Sequence, residues 1–391
     1  MEPRKISDGV FWVGAADWDR RLFDGLIPLP NGTSYNAYLV EGGTRTALID
    51  GVDPTKTGVL LARLSRVKRI DYIISQHSEQ DHSGAIPAVM ERHPEAKLLA
   101  SPKGKELLSV HIGIPAERIG ALADNETLDL GGKTLEFMHT PWVHWPETAS
   151  TYLREDRMLF TCDLFGSHLA AEGLYEKDDH LVCVAARRYY AEVMMPFRAN
   201  IRRHLERFAK LKIDVIAPSH GPVHTNPDRV VQYHGEWTSE KLSNDAVIAY
   251  STMHGSTAIM AEYLAEALAR NGVEARLFNL AVTDLGEFAM SLVDAATIVF
   301  GTPTILAGAH PHVISAAFLA NALRPKLRFS SVIGSYGWGG KAVEQINSML
   351  SGLKLDALNP VQVKGAPGPE DFKSLDTLAD CIAAKHSGAP L

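Results

Sequence analysis

Four potential metal ligands lie within six residues in the stretch His77-Ser78-Glu79-Gln80-Asp81-His82. The preceding residues, 70–75, form a short apolar run rich in isoleucine, which predicts a buried strand. The ligand-rich stretch therefore follows the carboxyl end of a strand, where α/β sheets usually place their ligand sites. Imidazole and carboxylate groups this close together can coordinate one or two metal ions, although a polar surface loop is the simpler interpretation of this stretch taken alone.

Three later stretches repeat the arrangement of an apolar strand followed by a histidine or an aspartate. His144 lies in a loop flanked by prolines, Asp163 follows the run 158–162, and His220 follows the run 215–218. Any one of these residues alone would more often cap an element or border a core than bind a metal. Because four such stretches occur in order in one chain, we interpret them as parts of a single metal site.

The order of the predicted elements indicates two domains. Before residue 243, short strands come first, strands then alternate with helices, and strands follow again, which favours two packed sheets with outer helices. After it, five predicted strands alternate with helices in the last 148 residues, as in a doubly wound parallel sheet. We therefore predict domains at residues 1–243 and 244–391. Twelve of the 16 histidines precede residue 243, which places the metal chemistry in the first domain.

The composition is that of an ordinary globular protein rather than of a nucleic-acid-binding or membrane protein. Of 391 residues, 46% are hydrophobic and 22% charged, and the net charge is −7, which argues against nucleic acid or anionic membrane as the main partner. No apolar run is long enough to span a membrane, and the first residues lack the apolar core of a signal peptide. The cysteines Cys162, Cys183 and Cys381 are widely spaced, so we expect reduced thiols and a cytoplasmic location.

The beginning of the predicted second domain has the features of a phosphate site. A strand at 245–250 is followed by a loop rich in hydroxyl groups and then by a helix over 258–270. Backbone N–H groups and the helix dipole favour an anion at such a position, although the loop lacks the Gly-Lys-Thr of a P-loop and such a loop is often only a helix cap. Two further loops, 301–307 and 334–340, also follow strand ends, and aromatic side chains in the second could stack on a flat ring.

Taken together, these motifs resemble a known family. The pattern His-x-[His/Glu]-x-Asp-His, followed by His, Asp and His, is similar to the metallo-β-lactamase superfamily. Glu79 at the usual second histidine, the sequence His144-Trp145-Pro146 and the predicted second domain make the chain resemble the flavodiiron proteins over essentially its whole length. The resemblance implies an α/β protein with an N-terminal metallo-β-lactamase-like αββα sandwich and a C-terminal flavodoxin-like doubly wound parallel sheet.

The resemblance also implies two iron ions in the first domain. The implied site has seven ligands, three at each metal position and one that bridges them. The first position would use His77, Glu79 and His144, and the second Asp81, His82 and His220. Asp163 would bridge the two. The chemistry of the set favours iron independently, because a carboxylate in place of a histidine makes the site harder, and no thiolate is present among the ligands.

For the second domain, the resemblance implies bound FMN. The predicted contacts come from three loops, namely Thr252, Met253, His254, Gly255, Ser256 and Thr257; Pro303, Thr304, Ile305, Leu306 and Ala307; and Ser335, Tyr336, Gly337, Trp338 and Gly339. The chain differs from the family at four positions. His254 replaces a frequent aromatic residue, Leu306 and Ala307 replace frequent asparagines, and Asp24 replaces a histidine that many relatives have near the metal site.

The implied function is that of an oxidoreductase. Electrons from an external donor, rubredoxin or an NADH-linked reductase, would pass through FMN to the diiron site, which would reduce O2 to water, NO to N2O, or both. The family is active as a head-to-tail homodimer or a dimer of dimers. No Cys-x-x-Cys pair occurs in these residues, so no rubredoxin domain is expected within them.

Two other functional classes are compatible with parts of the same pattern. A dinuclear zinc hydrolase with an accessory flavodoxin domain would use the metals to activate water. A redox carrier or sensor would have both sites but no catalytic turnover. Metal content distinguishes the hydrolase from the reductase, and turnover with a reduced donor under O2 distinguishes the carrier. Glu79 and the three flavin loops favour the reductase.

Overall fold

The computed structural model describes residues 1–171, 173–175, 177 and 179–388. The chain forms two compact units, the first made of Met1–Tyr190 and Phe197–Thr238 and the second of Ala191–Pro196 and Ser239–Leu391. The boundary predicted between residues 243 and 244 remains a prediction, and residues 389–391 of the predicted second domain lie outside the described residues.

The first unit contains two large sheets and the helices that cover them. Its strands are β1 Arg4–Ser7, β2 Val10–Trp12, β3 Ala15–Asp17, β4 Leu22–Phe23, β5 Ile27–Pro28, β6 Thr33–Tyr35, β7 Tyr38–Glu41, β8 Thr46–Ile49, β9 Tyr72–Ser75, β10 Lys97–Ala100, β11 Ile119–Ala121, β12 Thr127–Asp129, β13 Thr134–His139, β14 Ala149–Leu153, β15 Met158–Cys162 and β16 Val215–Pro218. Its helices are α1 Thr57–Arg63, α2 Gln80–Ser83, α3 Ile86–Arg92, α4 Pro102–Ile112, α5 Asp179–Tyr189, α6 Arg198–Phe208 and α7 Pro227–Thr238.

The two large sheets place all the ligand-bearing loops at strand ends. The first sheet has the order β1-β2-β7-β8-β9-β10-β11, and the second has the order β12-β13-β14-β15-β16. Strands β8, β9, β10 and β11 run parallel to one another, as do β15 and β16. The carboxyl ends of β15 and β16 therefore lie at one edge of the second sheet, where Asp163 and His220 follow them.

Alternation along the strands divides the core of the first unit into two layers. Tyr38 and Ile49 of the first sheet pack in one cluster with Phe137 and Phe160 of the second sheet, so this cluster fills the space between the sheets. The neighbouring residues Leu39 and Leu48 face the other way and pack with Leu60 of α1, Val89 of α3 and Leu108 of α4. Because side chains alternate with a period of two, each strand serves both layers. This is the sandwich arrangement that the sequence predicted.

The second unit is a parallel sheet with helices on both faces. Its strands are β17 Asp245–Tyr250, β18 Glu274–Asn279, β19 Thr297–Ile305, β20 Gly308–Ala309, β21 Phe329–Tyr336, β22 Asp356–Ala357 and β23 Val361–Lys364. Its helices are α8 Ser256–Arg270, α9 Leu285–Ser291, α10 Pro311–Leu323, α11 Ala342–Met349 and α12 Pro369–Gly388. The order β18-β17-β19-β21 continues to β22 and β23, which pair with the two ends of β21. This order is that of flavodoxin-like sheets. None of the described helices is long and apolar enough to cross a membrane.

The sequence of residues 35–40 alone predicts one continuous strand, but the structure interrupts it at Asn36 and Ala37, between β6 and β7. The Asn36 amide is buried and makes three hydrogen bonds: Nδ2 donates to the carbonyls of Pro218 and Gly221, both at 2.8 Å, and Oδ1 accepts from Trp12 Nε1 at 2.8 Å. Its backbone N–H donates to the Ser219 carbonyl. The chain leaves the strand at this point because Asn36 binds the loop after β16. We refer to this contact as the Asn36 clamp.

One glycine contact joins the two sheets and predicts a measurable loss of stability. A Cβ atom at Gly42, in the turn between β7 and β8, would overlap the Leu130 carbonyl oxygen and Cβ. We expect Gly42→Ala to lower the free energy of unfolding by about 1–3 kcal/mol through overpacking. Chemical denaturation of purified protein measures this change.

Gly58→Ala provides a matched control, because nothing lies within 4 Å of its Cβ position and it is exposed in α1. That variant should be more stable by about 0.4–1 kcal/mol. Equal unfolding midpoints for the two variants would contradict the proposed close contact.

Candidate metal centre

The first group of candidate ligands comes from two separate loops. His77 and Glu79 follow β9, and His144 lies in the loop after β13. The Glu79 Oε2 atom lies 3.1 Å from His77 Nε2 and 3.2 Å from His144 Nε2. Ligand atoms at right angles around an ion that they bind at roughly 2.1 Å are about 3 Å apart, so these separations fit one metal position.

The second group lies beside the first. Asp81 and His82 are on the short helix α2, which directly follows the stretch after β9, and His220 follows β16. The His220 Nε2 atom lies 3.2 Å from Asp81 Oδ2, and His82 Nε2 lies 3.3 Å from Asp81 Oδ1. These three buried residues form a second group with the spacing of a metal site.

Asp163 lies between the two groups and contacts both. Its Oδ1 atom is 3.2 Å from His82 Nε2 and 3.3 Å from His220 Nε2. Its Oδ2 atom is 3.5 Å from His77 Nε2 and 3.7 Å from His144 Nε2. The two oxygens of one carboxylate therefore face different groups, which is the arrangement of a bridging ligand. The structure thus brings together all seven residues that the sequence analysis selected.

The buried carboxylates are suited to cations. Asp81 is 5% exposed and Asp163 1% exposed, yet neither oxygen of either side chain has a hydrogen-bond partner. The nearby imidazole nitrogens are close but do not have hydrogen-bonding geometry toward these oxygens. Burying an ionised carboxylate without hydrogen bonds is costly unless a metal or another cation compensates. The residues present therefore fit two metal ions with shared nitrogen and oxygen ligands.

Hydrogen bonds outside the two groups orient the imidazole rings. His77 Nδ1 donates to Glu147 Oε1 at 2.8 Å, and His220 Nδ1 donates to the Ser34 carbonyl at 2.7 Å. In both residues this leaves Nε2 facing the metal positions, as is usual for histidine ligands. Ser34 and the Asn36 clamp thus hold the His220 loop from two sides. The sequence analysis missed the role of Glu147, since its position three residues after His144 carries no signal of a contact with His77.

Several residues beside the ligands have left-handed backbone conformations. Cys162 directly precedes Asp163 and has φ 52°, Trp142 has φ 66°, and Phe165 has φ 68°. Such conformations cost on the order of 1–3 kcal/mol for residues other than glycine and tend to occur at functional sites. Here they turn the chain sharply at the ends of strands and direct the next side chains toward the site.

The charges of the groups support the same interpretation. Burial opposes charge on His77, yet hydrogen bonds to Glu147 and Glu79 and the nearby Asp163 hold its pKa well above the usual value. Burial likewise opposes charge on His220, but Asp163 and Asp81 raise its pKa to about 10. Burial opposes charge on Asp163, but His82, His220 and His77 hold its pKa well below the usual value. In the metal-free protein, protons therefore take the positions of cations.

Two further aromatic residues border the second group and were not selected from the sequence. His168 packs against His220 with ring centroids 5.0 Å apart, and its Nδ1 lies 2.9 Å from Thr33 Oγ1. Burial and the nearby His220 lower the pKa of His168 well below its usual value, so its imidazole is neutral. The ring of Tyr189 packs against both, with its centroid 4.8 Å from that of His168 and 5.8 Å from that of His220.

A cavity of about 320 Å³ opens over the ligands. It is lined by Arg20, Phe23, Asp24, Asp53, Glu79, Gln80, Asp81, His111 and Trp145. Burial and the carboxylates Glu79 and Asp81 raise the pKa of Asp24. The cavity therefore gives small molecules a polar access route to the first group of ligands.

In the second unit, the three predicted flavin loops lie at one edge of the sheet. They follow or overlap the carboxyl ends of the adjacent parallel strands β17, β19 and β21. Residues 303–305 belong to β19, and residues 335–336 belong to β21, where the sequence had predicted loops. Thr257, in the first turn of α8, is 1% exposed, and its Oγ1 atom has no hydrogen-bond partner. An unpaired hydroxyl at a helix N-terminus fits a phosphate group.

Comparisons with known proteins agree with both halves of the chain. Residues 33–221 match the family described as ODP family beta lactamase, and residues 248–375 match the flavodoxin family. The chain is 34% identical to a nitric oxide reductase of Moorella thermoacetica, with 98% of this chain and 99% of the relative covered. It is 32% identical to a rubredoxin-oxygen oxidoreductase of Megalodesulfovibrio gigas, with 98% of each chain covered.

Solved structures have the same fold. The rubredoxin oxygen:oxidoreductase of Desulfovibrio gigas superposes with a TM-score of 0.95 at 32% identity, covering 99% of each chain. A flavodiiron protein of Giardia intestinalis superposes with a TM-score of 0.91 at 25% identity, covering 99% of this chain and 98% of that protein.

Metal binding should depend on pH because ligands must lose protons. His220 has a pKa of about 10 in the metal-free protein, so it is protonated at neutral pH and must be deprotonated to bind metal. We expect the affinity for Zn²⁺, used as a redox-inert probe, to rise from about pH 6 to about pH 9, with protons released on binding. Calorimetric titrations in buffers of different ionisation enthalpy measure both effects. An affinity that is constant over this range would contradict the protonated metal-free state.

Glu147 should contribute to metal affinity without contacting the metal. We expect Glu147→Gln to weaken metal binding by roughly 10–100-fold, because His77 loses the carboxylate that orients it. Competition with a chelator, followed by metal analysis, measures the change. Glu136→Gln is the control. Glu136 lies on β13 and pairs with Arg154, in the turn between β14 and β15, at 2.7 Å. Equal affinities in the two variants would refute the role of Glu147.

Proposed function

Because this chain belongs to the flavodiiron proteins, we propose that it binds FMN in its second unit and two iron ions in its first. The protein is an oxidoreductase that passes electrons from an external donor through the flavin to the diiron site, where O2 or NO is reduced. Bound FMN and iron would supply the redox chemistry, since a flavin exchanges electrons in pairs or singly and an iron pair binds a small gas.

The observation that carries the proposal is the position of Asp163, whose two carboxylate oxygens face two different groups of three candidate ligands. We assign His77, Glu79 and His144 to one iron, Asp81, His82 and His220 to the other, and Asp163 to both. Four imidazoles and three carboxylates form a hard ligand set without thiolate, which suits iron. Cys162 does not belong to it, because its Sγ atom lies 3.8 Å from the Nδ1 atom of His82, whereas the Nε2 atom faces Asp163.

The residues around the ligands would position the gas and limit access of water. Phe23, Tyr189 and the neutral ring of His168 pack around His220 and leave little space on that side. Asp24 lies at the open side of the cavity, where its raised pKa suits it to hold a proton close to the site. Reduction of O2 to water consumes protons, so we propose that protons enter through this cavity.

The flavin site is proposed from the loops at the edge of the second sheet. The N–H groups at the start of α8 and the hydroxyls of Thr252, Ser256 and Thr257 would bind the phosphate. The ring would lie between the two other loops, of which Leu306 is 98% exposed and Trp338 91% exposed. A flavin ring bound between these loops would cover part of both side chains.

We propose a head-to-tail homodimer or a pair of such dimers as the active form. Each chain would then place its flavin beside the iron pocket of its partner, as the family resemblance implies. Exposed Leu22 and Leu26 adjoin the pocket residues Phe23 and Asp24 and would be buried in such a contact. The electron donor is proposed to be rubredoxin or an NADH-linked reductase, and the cytoplasm is the proposed location.

Matched variants should separate the two sites. We expect Asp163→Ala to lose iron and gas reduction while FMN stays bound, because the ligands and the flavin loops belong to different units. Thr257→Val should keep iron but weaken FMN binding by about 1.5–3 kcal/mol, the usual contribution of a hydrogen bond to a charged group. Iron content, flavin fluorescence and turnover with chemically reduced rubredoxin under O2 or NO measure these effects.

Thr283→Val is the control for the flavin variant, since its hydroxyl only donates to the Asn279 carbonyl.

A subunit-mixing experiment tests the dimer. It combines Asp163→Ala with a variant that lacks FMN, Thr252→Ala together with Thr257→Val. Exchanged subunits should recover up to about half of the wild-type sites. Zinc instead of iron in the purified protein, with hydrolysis and no gas reduction, would refute the proposed function, and verified mixed dimers without recovery would refute only the dimer mechanism.

A further inference from the structure

A line of oxidisable aromatic side chains leads away from the second group of ligands. It begins at Tyr189, whose ring centroid lies 5.8 Å from that of the ligand His220. The next residue in the chain is Tyr190, whose ring lies 5.4 Å from that of Trp237, and Trp237 lies 5.9 Å from Tyr233. We refer to Tyr189, Tyr190, Trp237 and Tyr233 as the aromatic chain.

The aromatic chain runs from the buried interior to the surface of the first unit. Tyr189 is 3% exposed, Tyr190 0% and Trp237 4%, whereas Tyr233 is partly exposed. The rings of Tyr233 and Trp237 are nearly parallel, with 15° between their planes. The Tyr233 hydroxyl accepts a hydrogen bond from Arg229 Nε at 3.0 Å. The outer member is therefore positioned where its phenolic proton can reach water.

Packing alone accounts for part of this arrangement, because aromatic rings in cores commonly lie 4.5–7 Å apart. Phe165 and His234 belong to the same cluster, with ring centroids 4.9 Å apart, and neither is readily oxidised. The composition of the line itself goes beyond packing. Each of its four members is a tyrosine or the tryptophan, the side chains that lose an electron most easily, and each is adjacent to the next in the chain or in space.

We propose that the aromatic chain supplies an electron to the diiron pocket when the external donor delivers too few, and so carries the oxidising equivalent to Tyr233. The inference rests on the proposed reduction of O2 in this pocket. Complete reduction of O2 to two waters consumes four electrons and four protons. If the protein holds only three of these four electrons, the reduction of O2 is incomplete. A strong oxidant would then remain in the buried pocket, next to the metal-binding side chains.

The step balances with one tyrosine as the reductant. O2, three electrons and three protons from the donor and solvent, and the Tyr233 phenol give two water molecules and the neutral Tyr233 phenoxyl radical. One O–H bond of Tyr233 breaks, its electron passes inward along Trp237, Tyr190 and Tyr189, and its proton enters solvent while another is taken up in the pocket. A small reductant such as a thiol or ascorbate then returns one electron and one proton to Tyr233.

Trp145 offers a shorter path for an oxidising equivalent to leave the site, and the experiment must distinguish this path from the aromatic chain. The ring of Trp145 lies 5.1 Å from that of His77, and Trp145 is partly exposed at the cavity. Oxidation through Trp145 would damage the gas entrance itself. The aromatic chain instead ends on α7, a helix that supplies no residue to the cavity.

The test uses the iron- and FMN-loaded protein with limited reductant. Anaerobic protein is given fewer than four electron equivalents per chain, mixed with O2 and frozen within milliseconds for electron paramagnetic resonance. Ring-deuterated tyrosine distinguishes tyrosyl from tryptophanyl radicals, and peptide mapping locates oxidised residues. We expect a tyrosyl signal, oxidation at Tyr233 and Trp237, and a several-fold smaller signal when the protein is fully reduced beforehand.

Three variants make the result specific. Trp237→Phe should reduce oxidation at Tyr233 several-fold, and Tyr233→Phe, which changes a partly exposed side chain, should shift oxidation inward to Trp237. Tyr152→Phe is the control, because Tyr152 lies outside the aromatic chain and its hydroxyl donates to the Lys212 carbonyl. It should leave the radical signal unchanged.

Radical formation at Trp145 alone, an unchanged signal at Tyr233 in Trp237→Phe, or O2 consumption without any organic radical would each overturn the proposal. The last of these outcomes would leave the proposed function intact. Failure of the loaded wild-type protein to consume O2 or NO would instead overturn both. Equal turnover of Tyr233→Phe and wild type with excess donor, combined with faster inactivation of the variant under limiting donor, would support the inference.

Discussion

Buried negative charge without hydrogen-bond partners is the constraint on which the first unit depends. Both oxygens of Asp81 and both oxygens of Asp163 are enclosed and face only imidazole nitrogens. Such carboxylates are stable in a protein interior only when cations balance them. Protonated histidines balance this charge in the metal-free protein, because the carboxylates raise the pKa values of His77 and His220. The electrostatics of the pocket therefore favour bound cations, whether protons or metal ions.

The rest of the unit keeps this arrangement in place. The ligands come from loops after four different strands, and polar contacts from outside the two groups hold these loops. Glu147 orients His77, and Ser34 orients His220. At the edge of the second unit's sheet, the unpaired Thr257 hydroxyl and the start of α8 form a position suited to an anion rather than to a cation. Both sites use the ends of parallel strands, where loops can vary while the sheet remains rigid.

The sequence was sufficient to predict the two folds, and hydrophobic runs followed by histidine or aspartate indicated a metal site, while the resemblance to the family supplied the full set of candidate ligands that the structure brings together. It was not sufficient to predict contacts between distant residues. The interruption of a strand at Asn36 depends on carbonyls of Pro218 and Gly221, which are far away in the chain. Likewise, the left-handed conformation of Cys162 has no signature in residue type, because cysteine rarely adopts it.

The Asn36 clamp has a consequence for the order of biosynthetic events. Asn36 and the His220 loop are separated by more than 180 residues, and the hydrogen bonds between them cannot form until residue 221 has been synthesised. Contacts between such distant segments close long loops and form late in folding. A nascent chain with β9 already folded therefore carries the candidate ligands of residues 77–82, whereas His144, Asp163 and His220 are still missing. The seven candidate ligands are then assembled together only at a late stage of folding, after residues from both sheets have come into contact.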